Sequence, residues 1–269
     1  MRLSRLDITV LVMAVVIGLT LVASLVVIQP PSAPLRIAYL SPSLRAPQNI
    51  WVVDPTDLTS AKQVTFSTYG IYDYAPSADG RYIAYAERQS GDVDYHVDLF
   101  VVDVIDGTTQ RLTFCADEGA DCTTPTWRAD NGQIAFMRRN PDVLGDGTLA
   151  PPKIWLIDNP LSATREVYSM FNDNQTTGSG PVYSADGRRL AFYENIGRGV
   201  LVFDFNPPTE SDRLKFIPAD NGATGALSPD GQRLITSTLE MSGDSNVRSS
   251  LVLANLVDGT LDSLLPDGQ

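Results

Sequence analysis

Ala75-Pro76-Ser77-Ala78-Asp79-Gly80-Arg81-Tyr82-Ile83-Ala84-Tyr85 places an apolar segment, a polar bend and a second apolar segment within eleven residues. The pattern returns three times. The copies are Pro125-Thr126-Trp127-Arg128-Ala129-Asp130-Asn131-Gly132-Gln133-Ile134-Ala135-Phe136, Pro181-Val182-Tyr183-Ser184-Ala185-Asp186-Gly187-Arg188-Arg189-Leu190-Ala191-Phe192 and Ala226-Leu227-Ser228-Pro229-Asp230-Gly231-Gln232-Arg233-Leu234-Ile235. Asp followed by Gly is hairpin chemistry: the carboxylate accepts backbone N–H bonds and Gly takes a positive φ at no steric cost. The small Ala between large residues suits a strand packed between neighbouring sheets.

The turn glycines at 80, 132, 187 and 231 are spaced by 52, 55 and 44 residues. Each turn is followed by an apolar strand that ends in Asp or Asn: Leu99-Phe100-Val101-Val102-Asp103, Ile154-Trp155-Leu156-Ile157-Asp158, Val200-Leu201-Val202-Phe203-Asp204 and Leu251-Val252-Leu253-Ala254-Asn255. A fourth strand is expected after each, as at Gln110-Arg111-Leu112-Thr113-Phe114 and in a last strand reaching Leu265. A first unit lacks the turn. It begins at Leu35-Arg36-Ile37-Ala38-Tyr39-Leu40, continues at Asn49-Ile50-Trp51-Val52-Val53-Asp54 and ends at Lys62-Gln63-Val64-Thr65-Phe66. Self-similarity at about 40–50 residues with four strands per unit predicts an all-β fold, a β-propeller of about five four-stranded blades. Strand three is apolar at nearly every position, as in a sheet covered on both faces. No stretch after residue 34 has a helical period.

These Ser-Pro-Asp-Gly-like turns, followed by Ile-Ala-Tyr or Leu-Ala-Phe and then an apolar strand ending in Asp, resemble the TolB-like, WD-repeat-like propeller repeats of bacterial envelope proteins. The resemblance covers residues 35–265 and implies a fold rather than a function. Such repeats occur in periplasmic binding proteins, in N-terminal domains of prolyl-oligopeptidase-type peptidases and in anchored proteins. The separate N-terminal α/β domain of TolB is absent, so a role in the Tol–Pal system does not carry over.

Residues 8–28 form a run of 21 residues without a charge. As a helix rising 1.5 Å per residue, it spans a hydrocarbon core of about 30 Å. Arg2 and Arg5 precede it, which places residues 1–7 in the cytoplasm and the chain beyond Gln29 outside. A cleaved signal peptide is the rival reading. Its apolar region is usually roughly 7–15 residues, and here Pro30, Pro31 and Pro34 crowd the cleavage position. The expected organisation is a cytoplasmic head at 1–7, a transmembrane helix at 8–28, a Pro-rich spacer at 29–34 and a propeller at 35–269, in the periplasm or at the cell exterior.

The formal charge is -12. That disfavours nucleic acid, because phosphate binding needs a basic patch. Cys115 and Cys122 are the only cysteines. Outside the cytoplasm, a pair this close is expected to form a disulfide. Metal binding is the rival, with Asp117, Glu118 and Asp121 between them, but two sulfurs without a nearby His make a poor zinc site. Residues 140–147, 172–174 and 92–94 are oxygen-rich and read as turns, since no Glu follows at calcium-loop spacing. His96 is the only histidine, and no G-x-S-x-G elbow accompanies it. No catalytic, metal or cofactor residue is therefore nominated, and a non-enzyme is expected. Trp51, Trp127 and Trp155 are read as inter-blade core.

A closed ring needs a first strand for the first unit. Three explanations stay open: a three-stranded first blade, an incomplete chain, or a strand lent by another chain. The functional expectation is an anchored envelope propeller that binds a protein partner through its loops or an open blade edge. The alternative is a carbohydrate-active or other hydrolase using carboxylates across the channel.

Overall fold

Apolar residues alternate with small ones between Asp-Gly bends, and the backbone accordingly folds as a succession of antiparallel meanders. The computed structural model describes residues 36–42, 47–92, 96–142, 148–173, 175–241 and 247–264. The first meander holds β1 (Ile37–Ser41), β2 (Asn49–Asp54) and β3 (Asp57–Gln63). The second holds β4 (Ile71–Pro76), β5 (Tyr82–Arg88), β6 (Val97–Asp103) and β7 (Thr109–Arg111). The third holds β8 (Asp121–Trp127), β9 (Gln133–Arg139), β10 (Lys153–Asp158) and β11 (Glu166–Ser169). The fourth holds β12 (Ser179–Tyr183), β13 (Arg189–Glu194), β14 (Gly199–Asp204) and β15 (Leu214–Pro218). The fifth holds β16 (Ala226–Leu227), β17 (Arg233–Met241), β18 (Val247–Asn255) and β19 (Leu261–Ser263). A single parallel bridge, Val97 to Asp121, joins the second and third meanders into one eight-stranded sheet. Among the described residues, the only helical elements are three-residue 3-10 turns at Ala116–Glu118 and Glu210–Asp212.

Face-to-face burial holds the meanders together. Four apolar clusters lie at the joints between consecutive units. Ile50, Val52, Ile83 and Tyr85 join the first to the second, and Leu99, Val101, Ile134 and Phe136 the second to the third. Ile154, Leu156, Leu190 and Phe192 join the third to the fourth; Val200, Val202, Leu234 and Ala254 join the fourth to the fifth. Strands β6, β10 and β14 contribute alternate residues to the neighbouring units on both sides, which explains their unbroken apolarity. Among the described residues, no apolar cluster joins the fifth unit to the first. Leu251 is 39% exposed where its repeat equivalent Leu99 is fully buried, and Ile37 is 48% exposed where its equivalent Ile83 is at 2%.

Two sequence expectations need correction. The fourth strand of the first unit is Asp57–Gln63, not residues 62–66, because Asp54 and Asp57 close a tight bend: Asp54 accepts the Thr56 amide and Asp57 the Thr59 amide. In the third unit the left-handed residue is Asn131, with φ 58°, rather than Gly132. Asn tolerates this region better than other side-chain-bearing residues. The expected transmembrane helix at 8–28 lies outside the described residues. Among the described residues, no helix is long and apolar enough to cross a membrane.

Candidate functional site

Each Ser-x-Asp-Gly bend is closed by its own side chains. Ser77 Oγ donates to Asp79 Oδ1 at 2.6 Å and accepts the Tyr82 amide at 2.9 Å, while Asp79 Oδ1 accepts the Arg81 amide at 3.0 Å. Ser184–Asp186 and Ser228–Asp230 repeat the arrangement. In the third unit Arg128 replaces the serine and grips Asp130 with Nε and an Nη, at 2.8 and 2.9 Å. These bonds hold the Asp79, Asp130 and Asp230 carboxyls below the usual carboxylate range. For Asp130 and Asp230 the hydrogen bond from Arg128 or Ser228 is the main cause; for Asp79, burial pushes upward but the bonds from Ser77 and the Arg81 amide outweigh it.

In the second and fourth units the acid that ends strand three meets that bend. Asp103 accepts Arg81 Nε at 2.8 Å, and Asp204 accepts Arg188 Nε at 2.9 Å and Arg189 Nε at 3.1 Å. A backbone bond runs beside each pair, from the Val104 amide to the Arg81 carbonyl at 2.8 Å and from the Phe205 amide to the Arg188 carbonyl at 3.0 Å. Both hairpin turns of a unit therefore lie together and form one turn face. Neighbouring bends also touch: the Ala78 amide donates to Asn131 Oδ1 at 3.2 Å, and Arg189 donates to the Gly231 carbonyl. Two clefts open between these bends. One of about 280 Å³ lies between the fourth and fifth units, with Arg188, Arg189 and Lys215 facing Asp186, Asp212 and Asp230. One of about 270 Å³ lies between the third and fourth, beside Arg128, Asp130 and Phe205.

On the inner strands, repeat-equivalent positions carry bulges. Register shifts fall at Ile71/Asp73, Thr123/Thr126 and Ser179/Val182. Thr124 and Gly180 there have positive φ, 50° and 56°. Trp127 Nε1 donates to the Ala75 carbonyl at 3.1 Å, and Thr224 Oγ1 to the Gly180 carbonyl at 2.6 Å, so the inner strands are laced to one another. Asp73 sits at this level. Burial pushes its carboxyl up, against hydrogen bonds from the Tyr74 and Thr124 amides. Burial also raises the Glu87 carboxyl on β5. Every other described carboxyl with a resolved shift moves down, which sets these two apart. Sequence reading missed both, because an Asp in a turn-rich chain reads as a turn residue.

Cys115 and Cys122 are joined in a disulfide, as expected. Among the described residues, no group of three or more His, Cys, Asp or Glu side chains is arranged for a metal. His96 lies just before β6, partly exposed, with Nδ1 3.3 Å from Asp121 Oδ1. No Ser-His-Asp constellation forms among the described residues. Asp173 accepts the Gln175 and Thr176 amides and is a turn acid, as read; residues 93–95, 143–147 and 174 lie outside the described residues. Trp127 is core between the second and third units, and Trp155 packs at the same joint with Arg138 stacked on its ring at 4.6 Å. Trp51 is half-buried on β2, away from the cluster its neighbours Ile50 and Val52 build.

No protein-family model matches the chain, and no curated protein matches it. Among solved structures, the chain is similar to TolB from Acinetobacter baumannii, with TM-score 0.59 and 22% identity over 89% of this chain and 55% of that one. It is similar to a puromycin-hydrolyzing peptidase from Mycobacterium tuberculosis, with TM-score 0.58 and 15% identity over 85% of this chain and 35% of that one. It is also similar to the β-propeller domain of the Trilobed protease from Pyrococcus furiosus, described as having an open velcro topology, with TM-score 0.50 and 14% identity over 75% of this chain and 59% of that one. The chain thus has the fold of a TolB-like β-propeller and spans about half the length of that TolB chain. The peptidase likeness overturns the expectation of a non-enzyme: a similar fold lies within a protein named a peptidase, so a missing catalytic motif in this chain does not exclude an enzymatic role.

Proposed function

We propose that this chain is an anchored, extracytoplasmic, five-bladed TolB-like propeller that binds a protein partner on its turn face. The observation that carries this reading is the continuous row of interlocked bends. Arg81, Arg128, Arg188 and Arg189 are held there by carboxylates, with clefts of both charge signs between units. Fixed guanidinium groups beside a partly apolar cleft provide specific contacts at low entropic cost. A rigid scaffold presenting loops is the usual arrangement for recognition. The apolar run at 8–28 supports the anchor. The Cys115–Cys122 disulfide supports an oxidising compartment.

Photo-crosslinking tests it in cells expressing the full chain. A photoreactive residue at Arg188 is expected to join one defined protein in the membrane fraction, whereas the same residue at Leu58 on β3 joins none. Equal labelling from both positions, or a product that external protease cannot reach, would refute the reading.

A second reading rests on the two elevated carboxyls. A hydrolase would use Asp73 or Glu87 as a proton donor, since burial raises both carboxyls above the ordinary carboxylate value. In a glycan-hydrolysis screen, Asp73→Asn and Glu87→Gln would then each remove turnover. Activity untouched by both changes would end this reading.

A further inference from the structure

The first meander contains a second, a third and a fourth strand, and β1 occupies the place that β5, β9, β13 and β17 occupy in the others. Ile37-Ala38-Tyr39 of β1 is the repeat equivalent of Ile83-Ala84-Tyr85 of β5. In the four later units this strand pairs with an inner strand on one side and an apolar strand on the other: β4, β8, β12 and β16 are those inner partners. Among the described residues, β1 pairs only with β2.

Hydrogen-bond directions show which groups of β1 face away from β2. The Ile50 amide donates to Thr65 Oγ1 at 2.8 Å, and its carbonyl accepts the Val64 amide at 2.9 Å, so Ile50 faces away from β1. Its neighbour Trp51 therefore faces β1 and bonds Tyr39, its partner in register. Ala38 and Leu40 must then point outward. The Tyr74 hydroxyl reaching the Ala38 carbonyl at 2.8 Å confirms that direction. Among the described residues, no acceptor meets the amides of Ala38 and Leu40. Ala84 and Ala86, the equivalents in the second unit, face Ala75 and Asp73 of β4. Ile37 is exposed, although its equivalents are core.

We propose that this edge is a docking site for an extended segment of another protein, added to β1 as the inner strand of the first unit. The ladder already made four times in this chain defines the chemistry of the occupant. It is five to seven residues long, like β12, β4 and β8, with apolar side chains at alternate positions and free amides facing β1. Residues 29–34 are poorly suited to supply it. Pro30, Pro31 and Pro34 carry no amide donor for a ladder. The Tyr74 hydroxyl does not block the ladder, because a carbonyl accepts two bonds. This site is separate from the turn face, and Arg188→Glu there should leave it unchanged.

Hydrogen–deuterium exchange of the segment at 36–42 in the detergent-solubilised full chain tests this, using peptides with the sequences of residues 70–77, 120–127 and 178–184 as probes. Fast exchange of two amides in the free chain, slowed about tenfold or more by at least one peptide but not by its scrambled form, is the expected result. Leu40→Pro removes one edge donor without disturbing the β2 pairing and should weaken the peptide about tenfold. Slow exchange in the free monomer would mean that the chain supplies its own strand. Concentration-dependent slowing would mean a second copy of this chain. Fast exchange indifferent to all three peptides would mean an edge that accepts no added strand. Each of these three results overturns the proposal, and none depends on whether Arg188 crosslinks to a partner.

Discussion

Asp98 and Cys115 lie 17 residues apart and are joined by a 2.6 Å hydrogen bond from the Cys115 amide to a carboxylate that solvent does not reach. The same carboxylate accepts Arg111 Nη at 2.6 Å and Thr113 Oγ1 at 3.0 Å. The loop clipped by the disulfide is thus anchored to the start of β6 by an acid that reads in the sequence as one more loop polar. Asp98→Ala leaves the Cys115 amide and the Arg111 guanidinium without their acceptor. It should cost about 3 kcal/mol in urea unfolding, more than Asp98→Asn. Reducing the disulfide alone should cost about 2 kcal/mol, because the loop it closes is short. A loss below 1 kcal/mol for Asp98→Ala would mean that the anchor is dispensable.

Asp73 and Glu194 should respond to pH in opposite directions. Burial raises the Asp73 carboxyl above 3.8, so its favourable contribution is present below that value and lost as pH climbs through the raised folded value. Asp73→Asn should therefore raise Tm at pH 7 by about 2 °C, with the gain shrinking as pH falls toward 4. For Glu194, burial pushes upward, but the Thr177 hydroxyl and the Gly197 and Ile196 amides outweigh it and hold the carboxyl below 4.5. Its stabilisation is present above 4.5 and lost as pH falls through the lowered folded value. Glu194→Gln should lower Tm at pH 7, with the deficit closing in acid. Parallel pH profiles for the two variants would contradict both assignments.

Gly225 and Gly80 both have positive φ, 86° and 68°, but their surroundings differ. A Cβ at Gly225 would lie 2.0 Å from the Ile235 carbonyl oxygen, a backbone atom that cannot move aside, whereas nothing lies within 4 Å of one at Gly80. Gly80→Ala should cost about 1 kcal/mol, the price of the conformation alone. Gly225→Ala should cost about 3 kcal/mol or more and loosen the pairing of β16 with β17. Calorimetry of the two variants makes the comparison, and equal losses would show that the close approach is relieved by backbone movement.

The bond from Trp127 to the Ala75 carbonyl links two inner strands. Trp127→Phe removes the donor together with part of the buried indole, so a loss of about 2 kcal/mol is expected. A neutral substitution would show that neither the bond nor the full indole is needed at that joint.

The fold was legible because its turns and third strands repeat: Asp79-Gly80, Asp186-Gly187 and Asp230-Gly231 each mark a bend, and each apolar strand lies where its spacing predicts. The outer strands were harder. Asp57–Gln63 is mostly exposed at a sheet edge and carries no apolar alternation, so the reading drifted to the more hydrophobic Val64-Thr65-Phe66. Inner strands are interrupted by bulges at Asp73, Thr124 and Gly180, which erase the period of two that would reveal them. The elevated acids depend on burial between strands distant in sequence. Such burial is a property of packing, not of any local motif.

Among the described residues, four apolar joints link the five meanders, and the first and the fifth meander each share in only one. Either of these meanders can peel away while breaking one joint, whereas loss of the third severs two. Under gradual denaturation or mechanical pull, the outermost layers should therefore release first, and the Cys115-to-Trp127 region should be the last to let go.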